Sequence, residues 1–364
     1  MSFNSIPSRF VGHFDMDAFF AAVEERNNPR FAGMPIVVGS DPKGGLGRGI
    51  VSTANYPARA FGIGSGMAIS RAWKLAQLAR DRGEPETIFL PGSWRIYSEI
   101  SKHIMHIIRS HATEMQQRSV DEAYVDLSFT GSLEAAAEIA RKIQAQVFKL
   151  EKLTVSVGIG SNKLVAKIAS DYDKPNGFTV VDESTVVDFL APLSVRAIPG
   201  IGPKTEQRLK ALRIVQISDL QHWAEDDLVK HFGSWGQGLY RKARGIDERP
   251  VVEEYIRKSI GEQHTFHQDI FDPGVVIQNM SDLGHSVFQS LCDEGGRSAR
   301  TLTITVRFHD FQTISSAHTF KKPVADVKTF EREATRLLLP FLDSRRNPQR
   351  KGIRLIGLRL EKLG

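Results

Sequence analysis

In the first half of the chain, short apolar runs alternate with segments of helical spacing. Residues 10–14 are apolar and β-prone and run straight into Asp15-Met16-Asp17, which predicts a core strand that ends in acids. Residues 19–26 take helical spacing, and 35–38 read as a second buried strand. Residues 41–49 are rich in glycine and predict a loop. Residues 94–111 read as an amphipathic helix. A tight acidic turn followed by an alternating strand is expected over 118–127, then a long alanine-rich helix over 132–150 and another alternating strand over 154–159. Residues 163–170 are helical, Lys174-Pro175-Asn176-Gly177 breaks the pattern, and 178–181 is a further strand. Strands alternating with helices predict an α/β or α+β layered structure.

The texture changes after residue 181. Residues 182–245 read as helices separated by short turns at Gly200, Gly202, Gly233 and Gly236. Residues 249–258 are charged and poor in core residues, which suits a linker. Beyond them, 301–308 and 353–360 alternate as strands do, and 272–292 and 325–342 look helical. This predicts a second, smaller α/β sandwich. The chain shows neither internal repeats nor a low-complexity tract.

With 364 residues and 41% hydrophobic content, the chain can bury a sizeable core and is too long for one ordinary domain. A net charge of +6 and a pI near 9.3 permit a polyanionic partner without requiring one. The single cysteine, Cys292, excludes an internal disulfide framework and a cysteine zinc cluster, and fits a reducing cytoplasm. Residues 1–9 carry no apolar run of the signal-peptide type. No stretch approaches the length of a membrane span, so no membrane partner is expected.

Three carboxylates stand out by context. Asp15 follows an apolar strand, and Asp121 and Glu122 sit on a turn before another. Acids at the ends of core strands cost stability unless something neutralises them, and oxygen-only ligands suit Mg²⁺. Taken singly, each acid reads more readily as a solvated turn residue, as Asp126 does, and Asp17 is open to either reading. Tyr56, Arg59 and Lys174 are suited to hold a triphosphate, where charge builds on the leaving pyrophosphate; singly, they read as surface cations and a packed tyrosine. Pro199-Gly200-Ile201-Gly202-Pro203-Lys204 lets backbone N–H groups approach a phosphate at a helix N-terminus, against the plain alternative of a tight turn. The basic run of Arg345, Arg346, Arg350, Lys351 and Arg354 fits a DNA-backbone strip or a solvated face equally.

Read in order, several segments resemble the Y-family DNA polymerases, in the DNA polymerase IV (DinB) branch. They are Phe14-Asp15-Met16-Asp17-Ala18-Phe19-Phe20, Ser52-Thr53-Ala54-Asn55-Tyr56-Pro57-Ala58-Arg59, Ser119-Val120-Asp121-Glu122-Ala123-Tyr124, Ser161-Asn162-Lys163, Lys174-Pro175-Asn176-Gly177, the Pro-Gly-Ile-Gly turn and Arg257-Lys258-Ser259-Ile260-Gly261. The resemblance implies an α+β multidomain right hand: palm at 1–18 and 91–181, fingers at 19–90, a helical thumb with a helix-hairpin-helix at 182–248, a linker at 249–258 and an α/β little finger at 259–364. It implies translesion DNA synthesis at low fidelity and without proofreading, joining a dNTP to a primer 3′-hydroxyl. Two Mg²⁺ ions, replaceable by Mn²⁺, would be held by Asp15, the backbone carbonyl of Met16, Asp121 and Glu122. Phe19, Phe20, Thr53, Tyr56, Arg59 and Lys174 would meet the nucleotide, with Phe20 as the steric gate against a 2′-hydroxyl. Gly200, Gly202, Lys204, Lys258, Arg345 and Arg346 would meet primer–template DNA.

Two departures accompany the resemblance. Ala18 stands where many relatives have an aromatic residue. No clamp-binding tail is legible around Glu361-Lys362-Leu363-Gly364, so a sliding clamp is expected from family alone. A cytoplasmic monomer is the expectation for localisation and assembly. The competing readings are a nucleotide cyclase, which would have no use for the glycine turn or the basic final domain, and a non-catalytic accessory relative, which would lack the three acids.

Overall fold

The computed structural model describes residues 9–253, 256–295 and 297–364. These fall into two compact units. The first lies within Met1–Gly39, Val51–Gly66 and Leu75–Glu254, and the second within Ser40–Ile50, Met67–Lys74 and Tyr255–Gly364. Residues 1–8 of the expected palm, and Glu254 and Tyr255 of the expected linker, lie outside the described residues.

In chain order the elements up to residue 180 are β1 (Val11–Met16), α1 (Phe19–Asn27), β2 (Ile36–Gly39), β3 (Val51–Ala54), α2 (Tyr56–Ala60), α3 (Ile69–Arg80), β4 (Ile88–Leu90), α4 (Trp94–Arg109), β5 (Glu114–Gln117), β6 (Glu122–Asp126), α5 (Leu133–Glu151), β7 (Val155–Gly160), α6 (Lys163–Tyr172) and β8 (Phe178–Val180). Five helices follow: α7 (Val186–Leu190), α8 (Pro203–Ala211), α9 (Ile217–Gln221), α10 (Glu225–Phe232) and α11 (Ser234–Ala243). The last stretch holds β9 (Ser259–Ile270), α12 (Pro273–Asp293), β10 (Ala299–Phe308), β11 (Thr313–Val324), α13 (Val327–Leu342) and β12 (Ile353–Leu363).

The sheet that carries Asp15 and Glu122 has the order β5-β6-β1-β7-β8. Its central strand β1 is antiparallel to both neighbours, with Asp15 opposite Glu122 on one side and Ser156 on the other. Because side chains alternate between faces, β1 divides its residues cleanly. Phe14 and Met16 enter an apolar core with Ala123, Val125, Val155, Val157 and the buried faces of α4 and α5. Val11, His13 and Asp15 point to the other face, which α6 covers. That helix begins at Asn162, whose side chain accepts from the Val165 N–H (3.1 Å) and donates to the Gly245 carbonyl (2.7 Å). The Lys163 ammonium is also turned inward, onto the Gln116 side chain (3.0 Å) and the Pro250 carbonyl (2.7 Å). Strand β7 was expected to alternate, yet all six of its residues are buried: it is an interior strand with helices on both faces.

The elements that sequence patterning missed here include α3, β4 and β5. The buried face of α3 is built from Ala72, Ala76 and Ala79 beside Ile69, a weak apolar signal. The two strands are three and four residues long, too short to show a period.

Helices α7 to α11 share one core with α6: Leu209, Ile217, Leu220, Leu228 and Leu239 pack with Leu164, Val165 and Ile168. In the second unit an antiparallel sheet of order β11-β10-β12-β9 is backed by α12 and α13 through Met280, Val287, Phe330, Leu338, Ile304 and Ile356. Strands β9 and β11 escaped the sequence reading because they are edge strands with few core residues; only Ile260 and Phe266 of β9 are buried. The face of the sheet away from the helices carries Thr305 hydrogen-bonded to Ser315 (3.0 Å), Thr301 to Thr319 (3.0 Å) and Arg307 to Thr313 (2.8 Å).

Gly158 sets how close α6 comes to the sheet. It lies opposite His13, and a Cβ there would meet the Ala166 carbonyl oxygen at 2.1 Å and the Ser170 nitrogen at 2.2 Å. Both are helix backbone and cannot rotate away. The variant Gly158→Ala is therefore expected to lower unfolding free energy by about 1–3 kcal/mol or more, measured by urea denaturation. Gly64→Ala, where a Cβ meets nothing within 4 Å, should stay within about 0.5 kcal/mol of the parent. Equal stability of the two variants would refute the close-approach argument.

Candidate active site

Sheet register brings Asp15 and Glu122 face to face. They are direct cross-strand partners on β1 and β6, and directly opposed residues on one sheet face have Cβ atoms roughly 4.5–5.5 Å apart. The Met16 N–H donates to the Asp121 carbonyl (3.0 Å), which fixes the acidic turn beside the end of β1. The Asp121 carboxylate itself accepts from the Ser119 hydroxyl. Among the described residues, oxygens of Asp15 and Glu122 and a ring nitrogen of His13 lie within 4.8 Å of one another; Asp121 is next to that group in the chain and outside it in space.

Two partly buried carboxylates this close repel, and the structure answers with two lysines. The Lys174 ammonium donates to Asp15 Oδ1 (2.5 Å) and pairs with Asp171 (3.2 Å). Lys167, from α6, lies 2.5 Å from Glu122 Oε2 and 3.8 Å from Asp15 Oδ2. The His13 ring and the Lys167 ammonium hold Glu122 down at about 2 against the cost of burial. Burial pushes the Asp15 carboxyl upward, opposed by Lys174. For Lys174, burial favours the neutral amine, but the Asp15 and Asp171 carboxylates prevail and hold it above the ordinary lysine value. The sequence reading gave Lys174 to a triphosphate; here it neutralises Asp15. Lys167 was missed. Its signal was a lone lysine inside the apolar run Leu164-Val165-Ala166-Lys167-Ile168-Ala169, where it is the one residue not fully buried.

Asp17, which the sequence left without a role, is 3% exposed and organises the neighbouring loops. Its Oδ1 accepts from the Ser156 hydroxyl (2.7 Å) and the Tyr56 hydroxyl (3.4 Å), and its Oδ2 from the Asn176 N–H (2.8 Å). Burial and the Asp17 charge push the Tyr56 phenol up to about 12. Arg59 stacks over the Tyr56 ring at 4.8 Å and donates through Nε to the Ala54 carbonyl (2.8 Å). Asn55 caps α2 by accepting from the Ala58 N–H (3.2 Å) and also accepts from the Ile36 N–H (2.8 Å), which anchors this segment on β2. Thr53 lies on β3 opposite Val38. Tyr56 and Lys174 are thus tied to the acidic end of β1 through Asp17 and Asp15, and Arg59 is tied to Tyr56.

The two phenylalanines after Ala18 have different fates. Ala18 adopts a left-handed conformation (φ 48°) before α1, a costly state for a residue with a Cβ. Phe19 is 2% exposed and its ring belongs to the core, so its side chain does not face a nucleotide site. Phe20 is half-buried, stacked on Tyr97 (4.6 Å) with Trp94 edge-on (5.3 Å). Tyr97 is fixed in turn by its hydroxyl, which donates to Glu24 (2.5 Å). These supports from α4 had no motif to reveal them.

The residues expected to meet DNA are dispersed. Gly200 takes a positive φ of 99°, and Gly202 is the N-cap of α8, followed by Pro203 at its first position and by exposed Lys204. In the second unit Lys258 is exposed ahead of β9. Arg345 is paired with Asp343 (2.5 Å) and Arg346 lies over Phe341 (5.2 Å). Lys351 pairs with Asp310 (2.6 Å), so the basic run is in good part locally neutralised. No described helix is long and apolar enough to cross a membrane.

Comparison with known proteins follows this layout. Residues 14–171 match the impB/mucB/samB family, 257–364 its C-terminal domain, and 196–247 the DNA polymerase-iota thumb domain. The chain is 41% identical to DNA polymerase IV of Methanoculleus marisnigri, over 98% of this chain and 95% of that protein. It is 38% identical to DNA polymerase IV of Streptococcus mutans, over 98% and 93%. Among solved structures, a Y-family DNA polymerase chimera of Dbh and Dpo4 superposes with a TM-score of 0.85 at 31% identity, covering 97% of this chain and 99% of that one. DinB from Sulfolobus solfataricus gives 0.63 at 31% identity, with the same coverage. With relatives this similar along nearly its whole length, and with the right-hand fold they share, the chain belongs to the Y-family DNA polymerases, in the DNA polymerase IV branch.

Proposed function

We propose that this chain extends a primer on a DNA template, including past damaged bases, with Asp15, Asp121 and Glu122 at the reacting centre. The observation that carries the proposal is the register of β1 against β6, which sets Asp15 opposite Glu122 beside two lysines. Family relatives named DNA polymerase IV, and a neighbour solved as an insertion ternary complex of Dbh DNA polymerase at 30% identity, support DNA and a dNTP as substrates. The proposed divisions are a palm at 1–18 and 91–181, fingers at 19–90, a thumb at 182–248, a linker at 249–258 and a little finger at 259–364.

The donor set fits hard divalent cations: carboxylate and carbonyl oxygens at the end of a sheet, partly buried and offset by Lys167 and Lys174. Asp15, Glu122, Asp121 and the Met16 carbonyl would hold two Mg²⁺, or Mn²⁺ in their place, supplying activation of the primer hydroxyl and stabilisation of the departing pyrophosphate. Lys174, Tyr56 and Arg59 offset charge on the triphosphate. Phe20, braced by Tyr97 and Trp94, excludes a 2′-hydroxyl by overlap. Gly200, Gly202 and Lys204 grip the DNA backbone at the start of α8. Lys258, Arg345 and Arg346 add charge in the second unit, where the hydroxyl-bearing open face of the sheet suits a sugar–phosphate strand. A cytoplasmic monomer that a sliding clamp recruits completes the reading.

The joint variant Asp121→Ala, Glu122→Ala should lose at least about 1000-fold in primer extension while gel-shift affinity for primer–template stays close to the parent. Loss of DNA binding instead would mean that these acids hold the fold. Cyclic nucleotide formed from a triphosphate without primer would favour the cyclase reading.

Phe20→Ala should raise ribonucleotide use relative to deoxyribonucleotide roughly 10- to 100-fold, the equivalent of a steric penalty of about 1–3 kcal/mol. Unchanged sugar selectivity in single-nucleotide insertion assays would remove the gate from Phe20.

DNA affinity should fall linearly on a log–log salt plot, with a slope near −0.9 for each phosphate neutralised on duplex. A flat plot would refute the backbone-grip reading.

A further inference from the structure

His13 is fully buried, and its Nε2 is a side-chain atom with no hydrogen-bond partner. That nitrogen is aimed at Glu122 Oε2, 3.6 Å away, beyond a formed hydrogen bond. Its other nitrogen, Nδ1, lies 2.7 Å from the Ser170 hydroxyl on α6. The Ser170 oxygen is also 2.8 Å from the Lys167 carbonyl. Ser170 owns one hydroxyl proton, so proton accounting limits the arrangements.

If Ser170 gives its proton to the Lys167 carbonyl, Nδ1 must donate to Ser170. A neutral ring then leaves a bare Nε2 lone pair facing the Glu122 carboxylate, whose Oε2 takes its hydrogen-bond proton from Lys167. If Ser170 donates to Nδ1, Nε2 carries the proton and faces an acceptor. The Lys167 carbonyl keeps the regular i+4 N–H, but the Ser170 oxygen then faces it at 2.8 Å without a proton between them. A charged ring carries the Nε2 proton in any case. The arrangement that serves Glu122 is the one with N–H on Nε2, and its cost is that contact between Ser170 and the Lys167 carbonyl.

We infer that His13 is a positioning residue for Glu122: Ser170 fixes the imidazole with its proton on Nε2, and that N–H is reserved for the Glu122 carboxylate when the acids are engaged. In the present arrangement Lys167 holds Glu122, and the donor stands 0.6 Å or so short of full hydrogen-bond reach. A small rotation of the carboxylate off Lys167 would close the gap and satisfy that donor. A histidine that orients a carboxylate through one nitrogen, while a helix fixes the other, is the outer support on which ligand geometry depends. This inference rests on the reading of Asp15 and Glu122 as cation ligands.

The test has two arms on the full chain. In the first, ¹⁵N-histidine-labelled protein without metal is examined by long-range ¹H–¹⁵N NMR, with His13 assigned by its loss in His13→Gln. A protonated Nε2 supports the inference, and a bare Nε2 with protonated Nδ1 overturns it. In the second, Mn²⁺ alone is titrated and followed by electron paramagnetic resonance. His13→Phe should weaken Mn²⁺ binding about 10- to 100-fold, His13→Gln should recover most of the loss through its side-chain N–H, and Ser170→Ala should fall between. Unchanged binding in His13→Phe alongside a loss in Glu122→Ala overturns the positioning role and leaves the metal reading intact. Unchanged binding in both variants overturns both. Should His13→Phe fail to fold, Ser170→Ala and the NMR arm decide alone.

Discussion

Everything at the acidic end of the central sheet follows from placing two partly buried carboxylates opposite each other on neighbouring strands. Charge so placed is tolerated only when opposite charge is equally well placed. Lys167 and Lys174 supply it, and each demands something of the fold. Lys167 reaches Glu122 because α6 lies almost against the sheet, which Gly158 permits. Lys174 reaches Asp15 because its loop is pinned at Asn176 by Asp17. The acids do not simply sit on a scaffold; the spacing of helix, strand and loop around them is set by their neutralisation.

The same logic extends to the flank that carries Tyr56 and Phe20. Asp17 takes donors from β7, from the loop after α6 and from Tyr56 of α2. One buried carboxylate therefore sets the positions of segments far apart in sequence. Phe20 gains a comparable rigidity from a different force, the packing of Tyr97 and Trp94. Polar bonding on one flank and aromatic stacking on the other leave little freedom for the segment between Asp15 and Phe20.

Much of this was legible beforehand, for definable reasons. The strand running into Asp15 and the turn at Asp121 carry strong local patterns, and register then fixes Asp15 opposite Glu122. The long helices α4, α5, α12 and α13 announce themselves by period. What escaped were features without a local signature. The edge strands β9 and β11 bury little, and α3 is built on alanines. The roles of Lys167, His13 and Asp17 depend on which sheet face each shares with distant residues. Phe19 illustrates the limit: it stands beside Phe20 in the same motif, yet helical geometry sends its ring to the core. The basic run at 345–354 read as free charge, but Asp343 and Asp310 are close enough in space to claim part of it.

Helix α6 faces two ways. One side lies over the acids and carries Lys167; the other supplies Leu164, Val165 and Ile168 to the core of the five helices that follow. Its cap residue Asn162 is bonded to Gly245 at the far end of those helices. The element that would seize the duplex and the element that tends the reactive acids are consequently welded to a single rod. Such a protein is poorly suited to exchange of modules at this boundary: a foreign helical domain spliced in after residue 181 would have to reproduce the underside of α6 before the chemistry above it could keep its alignment.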